Sequence, residues 1–203
     1  MILVLVEHDG SRPERSSLEA VTFGRGLAER LGESLQAVLI GPGTSDMAAG
    51  LGAYGVSRAL VIEDERLANY APAAWGRNLG AAVDASGADL ILAVGSDRGH
   101  EVLAYAAAMA GLPMAANCVE IEPGEPFRLT RQRWGGSLLE DATLDGPVRF
   151  VTVAEHIVEP AAAAASTKVA VERVDAQVTD ADLRSRVVSR LAPETGTVSL
   201  ADA

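Results

Sequence analysis

The segment Gly95–His100 (GSDRGH) has the residue types of an anion-binding turn. It follows an apolar run and precedes an Ala-rich stretch, so it is predicted to join a strand to the start of a helix. Free backbone N–H groups and the helix dipole favour a phosphate at such a place. The alternative is an ordinary turn with Asp97 as the helix cap, because neither a Walker lysine nor a G-x-G-x-x-G pattern is present. Gly41–Thr44 is a weaker version of the same site, since its proline removes one donor.

Three histidines and one cysteine are further candidates for chemistry. His8, His100 and His156 do not lie at metal-ligand spacing from one another or from Cys118, and no G-x-S-x-G motif is present. We interpret His8, between two acidic residues, as a surface loop histidine rather than an acid or base. Cys118 is interpreted as a buried structural thiol rather than a nucleophile. The sequence predicts no catalytic residue, no cofactor-binding residue and no metal site.

One segment, RQRWGG, has the residue types of a protein interface. Its members Arg131, Arg133, Trp134, Gly135 and Gly136 place two cations and a large aromatic ring before a flexible glycine pair. Trp and Arg are the residues most often found as interface anchors, so these five positions are the candidate partner interface. The alternative is a turn whose tryptophan packs back onto the core.

Alternating apolar runs and amphipathic stretches must position these residues. Apolar runs at 2–6, 35–40, 59–62 and 90–94 predict four strands, and the stretches between them carry helical stripes, among them Trp75, Leu79 and Val83. A capping box at Ser16–Glu19 is predicted to begin the first helix. Four β-α units in a row predict an α/β fold: a doubly wound, mostly parallel sheet of the Rossmann-like type, similar to adenine-nucleotide alpha-hydrolases and universal-stress proteins.

The pattern changes after Pro113. Alternation at 119–121 and 127–129 and the β-prone run 148–153 predict added strands, some antiparallel, at the sheet edge. We divide the chain into an α/β domain, residues 1–160, and an extended arm and linker, residues 161–203. Residues 168–174 are predicted to be extended, 182–191 fit either a strand or a helix, and the polar residues 192–203 have the composition of a linker.

The overall charge excludes some classes of partner. A formal net charge of −11 opposes binding to nucleic acid and to anionic membrane surfaces, which both need a cationic footprint. The single cysteine rules out an intrachain disulfide and is typical of a reducing compartment. The first apolar run lacks a basic flank and the length of a signal peptide, so the chain is expected to be cytoplasmic.

Several segments, in their order along the chain, resemble the electron-transfer flavoprotein alpha subunit. They are Leu3–His8, Ala53–Val61, Leu103–Val119, Arg131–Gly136 and Val187–Ala203. The second and third correspond to a helix-to-strand passage and to a helix followed by a strand, and the fourth to the family's arginine-aromatic-glycine segment. No single motif is decisive, but their order and spacing cover nearly the whole chain.

The resemblance implies a carrier component rather than an enzyme. In that family the alpha subunit pairs with a beta subunit, and the complex passes electrons from flavin dehydrogenases to a membrane-linked acceptor. FAD is bound mainly by a second alpha domain, which this chain would lack, so none of its residues is assigned to the cofactor. The implied role is therefore an N-terminal docking scaffold. The alternative is a free-standing universal-stress-type protein that binds an adenine nucleotide near Gly95–Gly99.

Overall fold

A computed structural model describes residues 1–189. The strands are β1 (Ile2–Leu5), β2 (Leu35–Ile40), β3 (Arg58–Ile62), β4 (Leu90–Val94), β5 (Met114–Glu122), β6 (Phe127–Arg133), β7 (Leu138–Leu144), β8 (Arg149–Val153) and β9 (Ala170–Arg173). The helices are α1 (Arg15–Leu31), α2 (Thr44–Gly50), α3 (Pro72–Ser86) and α4 (Asp97–Ala110), and short 3-10 helices cover Leu51–Tyr54 and Glu65–Leu67.

All nine strands form one sheet, in the order β7-β6-β5-β8-β4-β1-β2-β3-β9. The six strands from β8 to β9 run parallel, with the buried β1 and β4 side by side in the middle. Alternate residues along these strands belong to two apolar clusters on opposite faces of the sheet, as a strand covered on both sides requires. The predicted α/β doubly wound sheet is confirmed.

The added strands do not all lie at the edge that the sequence predicted. Strand β8 pairs in parallel with both β4 and β5, so the run 148–153 lies inside the sheet. Its five residues are all buried, which explains the strong β-prone character of the segment. Among residues 1–189, β6 and β7 are the antiparallel additions, and β7 was not predicted because its Glu-Asp pair interrupts the apolar alternation.

Two predicted helix caps are wrong. Helix α1 begins at Arg15, ahead of the proposed capping box, and Ser17 Oγ instead accepts the backbone N–H of Glu7 at 2.9 Å. Glu19 is buried and accepts the backbone N–H of His156 at 2.8 Å. Helix α4 is capped by Ser96, whose hydroxyl accepts from Gly99 N at 2.9 Å, and not by Asp97. In each case tertiary contacts decide among several candidate polar residues.

The segment after residue 160 contacts α1 through hydrogen bonds of Ala161 with Thr22 and Arg25, and it reaches the opposite edge of the sheet. There β9 pairs in parallel with β3, and this matches the predicted extended segment 168–174. Farther along, Asn78 bonds both the N–H and the C=O of Gln177, and Asp182 forms an ion pair with Arg77 at 2.7 Å. Residues 182–189 form turns and irregular structure, neither the strand nor the helix that the sequence allowed, and residues 190–203 lie outside the described residues. The domain boundary at 160 stays a prediction.

Candidate partner interface

The predicted interface segment forms the tip of the β6–β7 hairpin. Trp134 has φ of +52°, and Gly135 and Gly136 follow with φ of +61° and +85°. Three successive left-handed residues turn the chain tightly, which explains the glycine pair, since glycine alone adopts this region without steric cost. Gly136 N donates to Arg133 O at 3.1 Å, and Ser137 Oγ donates to Trp134 O at 2.7 Å. The tip is therefore a defined turn.

Trp134 does not fold back on the core. It is 84 % exposed, and the next two leucines of the hairpin, Leu138 and Leu139, are exposed as well. The register places Leu138 opposite Arg133 and Leu139 opposite Gln132, so three large apolar side chains share the outer end of the hairpin. Sequence reasoning missed both leucines, although a Leu-Leu pair directly after a Gly-Gly turn was a usable signal. As neighbours in one strand, Leu138 and Leu139 point to opposite faces of the hairpin, so its outer end exposes an apolar side chain on each face.

The two arginines of the segment are held by one carboxylate. Arg131 Nε lies 2.8 Å and Arg133 Nε 2.9 Å from Glu140 Oε2, across the β6–β7 pair. The hydrogen bond from Arg131 lowers the pKa of Glu140 below its usual value. One negative charge thus orients two cations, leaving positive charge beside the exposed apolar group. Half of the Arg133 side chain is exposed, which leaves it available to a partner.

The hairpin tip and the turn after β4 line one crevice of about 480 Å³. In the sequence these are two separate candidate sites. The fold brings them together because β5 and β8 lie between the hairpin and β4 in the sheet. The lining residues are Gly95, Asn117, Gln132, Arg133, Trp134, Gly135, Gly136, Ala154 and Glu155. A Cβ on Gly95 would lie 2.7 Å from Asn117 Oδ1 and 3.0 Å from the backbone oxygen of Val153, so a larger residue would crowd this point of the crevice.

A buried carboxylate lies where the candidate phosphate site at the start of α4 would hold its anion. Glu7, 5 % exposed, accepts a hydrogen bond from Ser96 Oγ at 2.5 Å, at the first turn of α4. A Cβ built on Gly99 would lie 3.1 Å from Glu7 Oε1, so this oxygen lies against the helix end. Burial raises the pKa of Glu7, and the Ser96 hydrogen bond opposes that shift. A phosphate at the N-terminus of α4 would meet Glu7 and an already occupied cap.

The histidines and the cysteine have structural contacts. His8 Nε2 donates to Ile40 O at 2.9 Å, and His100 Nδ1 lies 2.9 Å from Thr152 Oγ1. His156 is exposed, with φ of +64°, and its imidazole lies 3.5 Å from Glu19. Cys118 is fully buried, as predicted, and burial raises the pKa of its thiol to about 12. A thiol with that pKa is a poor nucleophile.

The fold and the hairpin define the class of protein: a doubly wound α/β domain that presents an exposed aromatic turn at one end of its sheet. The family model of the electron transfer flavoprotein domain matches residues 2–179. The chain belongs to this family, as the resemblance of its segments predicted.

Curated relatives carry the same family names. The electron transfer flavoprotein subunit alpha of Clostridium acetobutylicum is 24 % identical over 92 % of this chain and 57 % of that protein. Protein FixB of Rhizobium meliloti is 29 % identical over 68 % of this chain and 41 % of the relative. Protein FixB of Clostridium saccharobutylicum is 26 % identical over 100 % of this chain and 61 % of the relative. The chain thus spans about half the length of the curated relatives it matches.

Among residues 1–189, no helix combines the length and the apolar character that crossing a bilayer requires.

Proposed function

We propose that this chain is the N-terminal scaffold domain of an electron-transfer flavoprotein alpha subunit, and that it docks a beta subunit. The family match and the relatives named as alpha subunits support the role. The exposed Trp134 supports docking, because an 84 % exposed tryptophan on an ordered turn contributes little to this domain alone. Together with beta, the complete protein would carry electrons from flavin dehydrogenases to a membrane-linked acceptor. None of the relatives above supports the universal-stress alternative.

The anchor of the proposed interface is Trp134, flanked by Arg131 and Arg133 and shaped by Gly135 and Gly136. Anchors of this kind dominate interface energetics, and their truncation costs more than 2 kcal/mol in typical cases. We expect Trp134→Ala to weaken association with the cognate beta subunit by about thirtyfold or more. Titration calorimetry on the two purified chains measures this change. Tyr105→Ala, at a partly exposed aromatic on α4, is the matched control and should leave the affinity unchanged.

FAD in the complete protein is proposed to be bound outside this chain. The start of α4 does not fit the cofactor's pyrophosphate, because Ser96 and Glu7 already occupy it. Residues 1–160 would form the docking domain and 161–203 an arm towards the FAD domain, in a carrier with no catalytic residues of its own. The single buried Cys118 is compatible with a reducing compartment, and we place the complex in the cytoplasm.

An absorbance titration of the purified chain with FAD tests this division of labour. We expect no flavin bands in the chain as purified and no stoichiometric binding of added FAD. A stoichiometric yellow protein would show that this half binds the flavin itself. The beta-subunit titration is read separately: unchanged affinity of Trp134→Ala would remove the hairpin tip from the interface, whatever the result with FAD.

A further inference from the structure

Strand β7 forms one edge of the sheet and lacks the usual protection against further pairing. It is hydrogen-bonded to β6, and its other side has no strand partner among residues 1–189. All of its residues, Leu138–Leu144, stay in register with β6 without a bulge, and all but Leu144 are partly or fully exposed. The strand contains neither proline nor lysine, which commonly protect an exposed edge. Its outer N–H and C=O groups are therefore available to another strand.

The opposite edge of the sheet is built differently. Strand β9 has four residues, and two of them, Glu172 and Arg173, form ion pairs with Arg58 and Glu63. Short and charged edge strands are a common way to avoid unwanted pairing. Of the two edges, β7 is the one suited to accept a strand.

Two exposed leucines indicate how a partner would bind this edge. Leu138 is 56 % exposed and Leu139 is 68 % exposed. They point to opposite faces of the hairpin, so a partner that covers one face leaves one leucine in solvent. A strand added at the edge places its side chains beside those of β7 on both faces. Strand addition is therefore the mode of binding that covers both leucines.

The two acidic residues of β7 differ in how far their charge is compensated. Glu140 Oε2 lies 2.8 Å from Arg131 Nε and 2.9 Å from Arg133 Nε, so two cations already neutralise it. Asp141 is exposed and accepts from Thr130 Oγ1 at 3.1 Å, and it forms no ion pair among the described residues. Asp141 is therefore the uncompensated charge at the middle of the edge.

This charge disfavours a second copy of the chain as the added strand. A two-fold antiparallel pairing of β7 with itself that uses the whole strand is centred on Asp141 and puts two aspartates directly opposite each other. The pairing centred on Glu140 puts two glutamates together and sets Asp141 opposite Leu139. The other centres pair few residues of the strand or leave both leucines uncovered. Each copy also carries a formal net charge of −11.

We propose that β7 accepts an extended segment of the beta subunit as an additional strand of the sheet. The inference rests on the docking function proposed above and specifies how the docking occurs. The segment carries apolar side chains beside Leu138 and Leu139, one on each face, and a basic side chain beside Asp141. A basic segment also complements the net charge of −11. Trp134 lies at the tip that leads into β7, so the ring and the edge belong to one surface.

Hydrogen exchange of the full 203-residue chain, free and saturated with the purified cognate beta subunit, tests the pairing. Residue-by-residue detection by nuclear magnetic resonance separates the two sides of β7. We expect the amides of alternate residues, which point away from β6, to exchange fast in the free chain. In the complex they should exchange at least about tenfold more slowly, because a strand partner hydrogen-bonds them. The amides of β9, at the opposite edge, are the control and should not change.

Substitutions on the two faces of β7 test the same proposal by titration calorimetry. Leu138→Ala and Leu139→Ala should each weaken binding of the beta subunit about fivefold or more, although the side chains lie on opposite faces. Both positions are exposed, so the variants should fold, which circular dichroism verifies. Met109→Ala, at an exposed apolar residue on α4, is the control and should change nothing. Asp141→Asn should weaken binding about threefold at low salt.

The outcomes separate this pairing from the docking function. A parent chain that does not bind the beta subunit would overturn the docking function and the pairing with it. Binding in which one leucine alone matters, or in which the outer amides of β7 exchange as fast as in the free chain, would overturn the pairing and leave the docking function in place. An unchanged affinity of Asp141→Asn would overturn the basic side chain assigned to the segment.

Discussion

The two tryptophans of the chain lie in contrasting surroundings. Trp75 lies on α3, 4 % exposed, with Tyr70 edge-on at 5.4 Å and His8 stacked at 6.2 Å between ring centres. Trp134 lies at the hairpin tip, 84 % exposed. The fold requires Trp75 and surrounds it, whereas it orders the backbone of Trp134 and leaves the ring to solvent. The difference separates a residue that builds this domain from one that contributes little to it and is proposed to bind a partner.

The largest expected effect comes from removing the buried ring. Trp75→Ala deletes a core side chain between α3 and the sheet and should lower the free energy of unfolding by about 3 to 5 kcal/mol. Urea unfolding followed by circular dichroism measures the change. Trp75→Phe keeps most of the packing and should cost clearly less. A small effect of Trp75→Ala would mean that the buried ring contributes little to the fold, and the contrast between the tryptophans would fail.

The two tryptophans also differ in how well the sequence predicts their surroundings. The helical stripe of Trp75, Leu79 and Val83 predicted the core face of α3, and all three are buried. Strands β2 and β4 have the predicted bounds, because uninterrupted apolar runs have few alternatives. For Trp134, both an exposed anchor and a ring packed on the core remained open, since a turn has no periodicity that reveals which way a side chain points.

Contacts between distant segments were beyond sequence reasoning. Nothing in the run 148–153 shows that β8 pairs with β4 and β5, because strand order depends on the packing of the whole sheet. The meeting of Gly95 with the hairpin in one crevice follows from the same pairing. The indole N–H of Trp75, which has no acceptor among the described residues, was likewise invisible, since satisfaction of a polar group depends on every neighbour in space.

The arm that begins at residue 161 also contrasts with the hairpin tip, because backbone contacts attach its described part to the domain. The backbone N–H of Thr167 donates to Gly52 O at 2.9 Å. A Cβ on Gly52 would lie 2.0 Å from the backbone oxygen of Thr167. Gly52→Ala should therefore displace the start of β9 and cost about 2 kcal/mol. Hydrogen exchange should show lost protection in β9. Gly50→Ala, with open space around its Cβ, is the matched control and should leave β9 protected.

The ion pair farther along the arm should have a smaller effect with a defined pH dependence. Asp182 accepts from Arg77 at 2.7 and 3.0 Å and from Thr179, and these contacts lower the pKa of Asp182 to about 2. A depressed pKa means that the stabilisation is present above the unfolded value of about 3.9 and is lost as the pH falls through about 2. Asp182→Asn should cost about 1 kcal/mol at pH 7, since Arg77 is partly exposed and solvent screens the pair.

Unfolding measured at several pH values checks this prediction. The difference in stability between the parent and Asp182→Asn should shrink as the pH falls from 5 towards 2. Glu172→Gln is the matched control. Glu172 also pairs with an arginine, Arg58, but its side chain is exposed, so solvent screens the pair and the substitution should change the stability little at any of these pH values. A difference that stays constant with pH would assign the effect to packing rather than to charge.

The smallest effect on folding is expected where the effect on function should be greatest. Trp134→Ala removes a ring that is 84 % exposed and leaves the backbone turn, closed by Arg133 and Ser137, in place. A surface substitution of this kind changes the free energy of unfolding by about 0.5 kcal/mol or less. Combined with the loss of beta-subunit binding proposed above, this result would show that the ring serves association and not stability. If instead Trp134→Ala destabilised the domain as much as Trp75→Ala, the exposed ring would be part of the fold, and its role as a docking anchor would lose its main support.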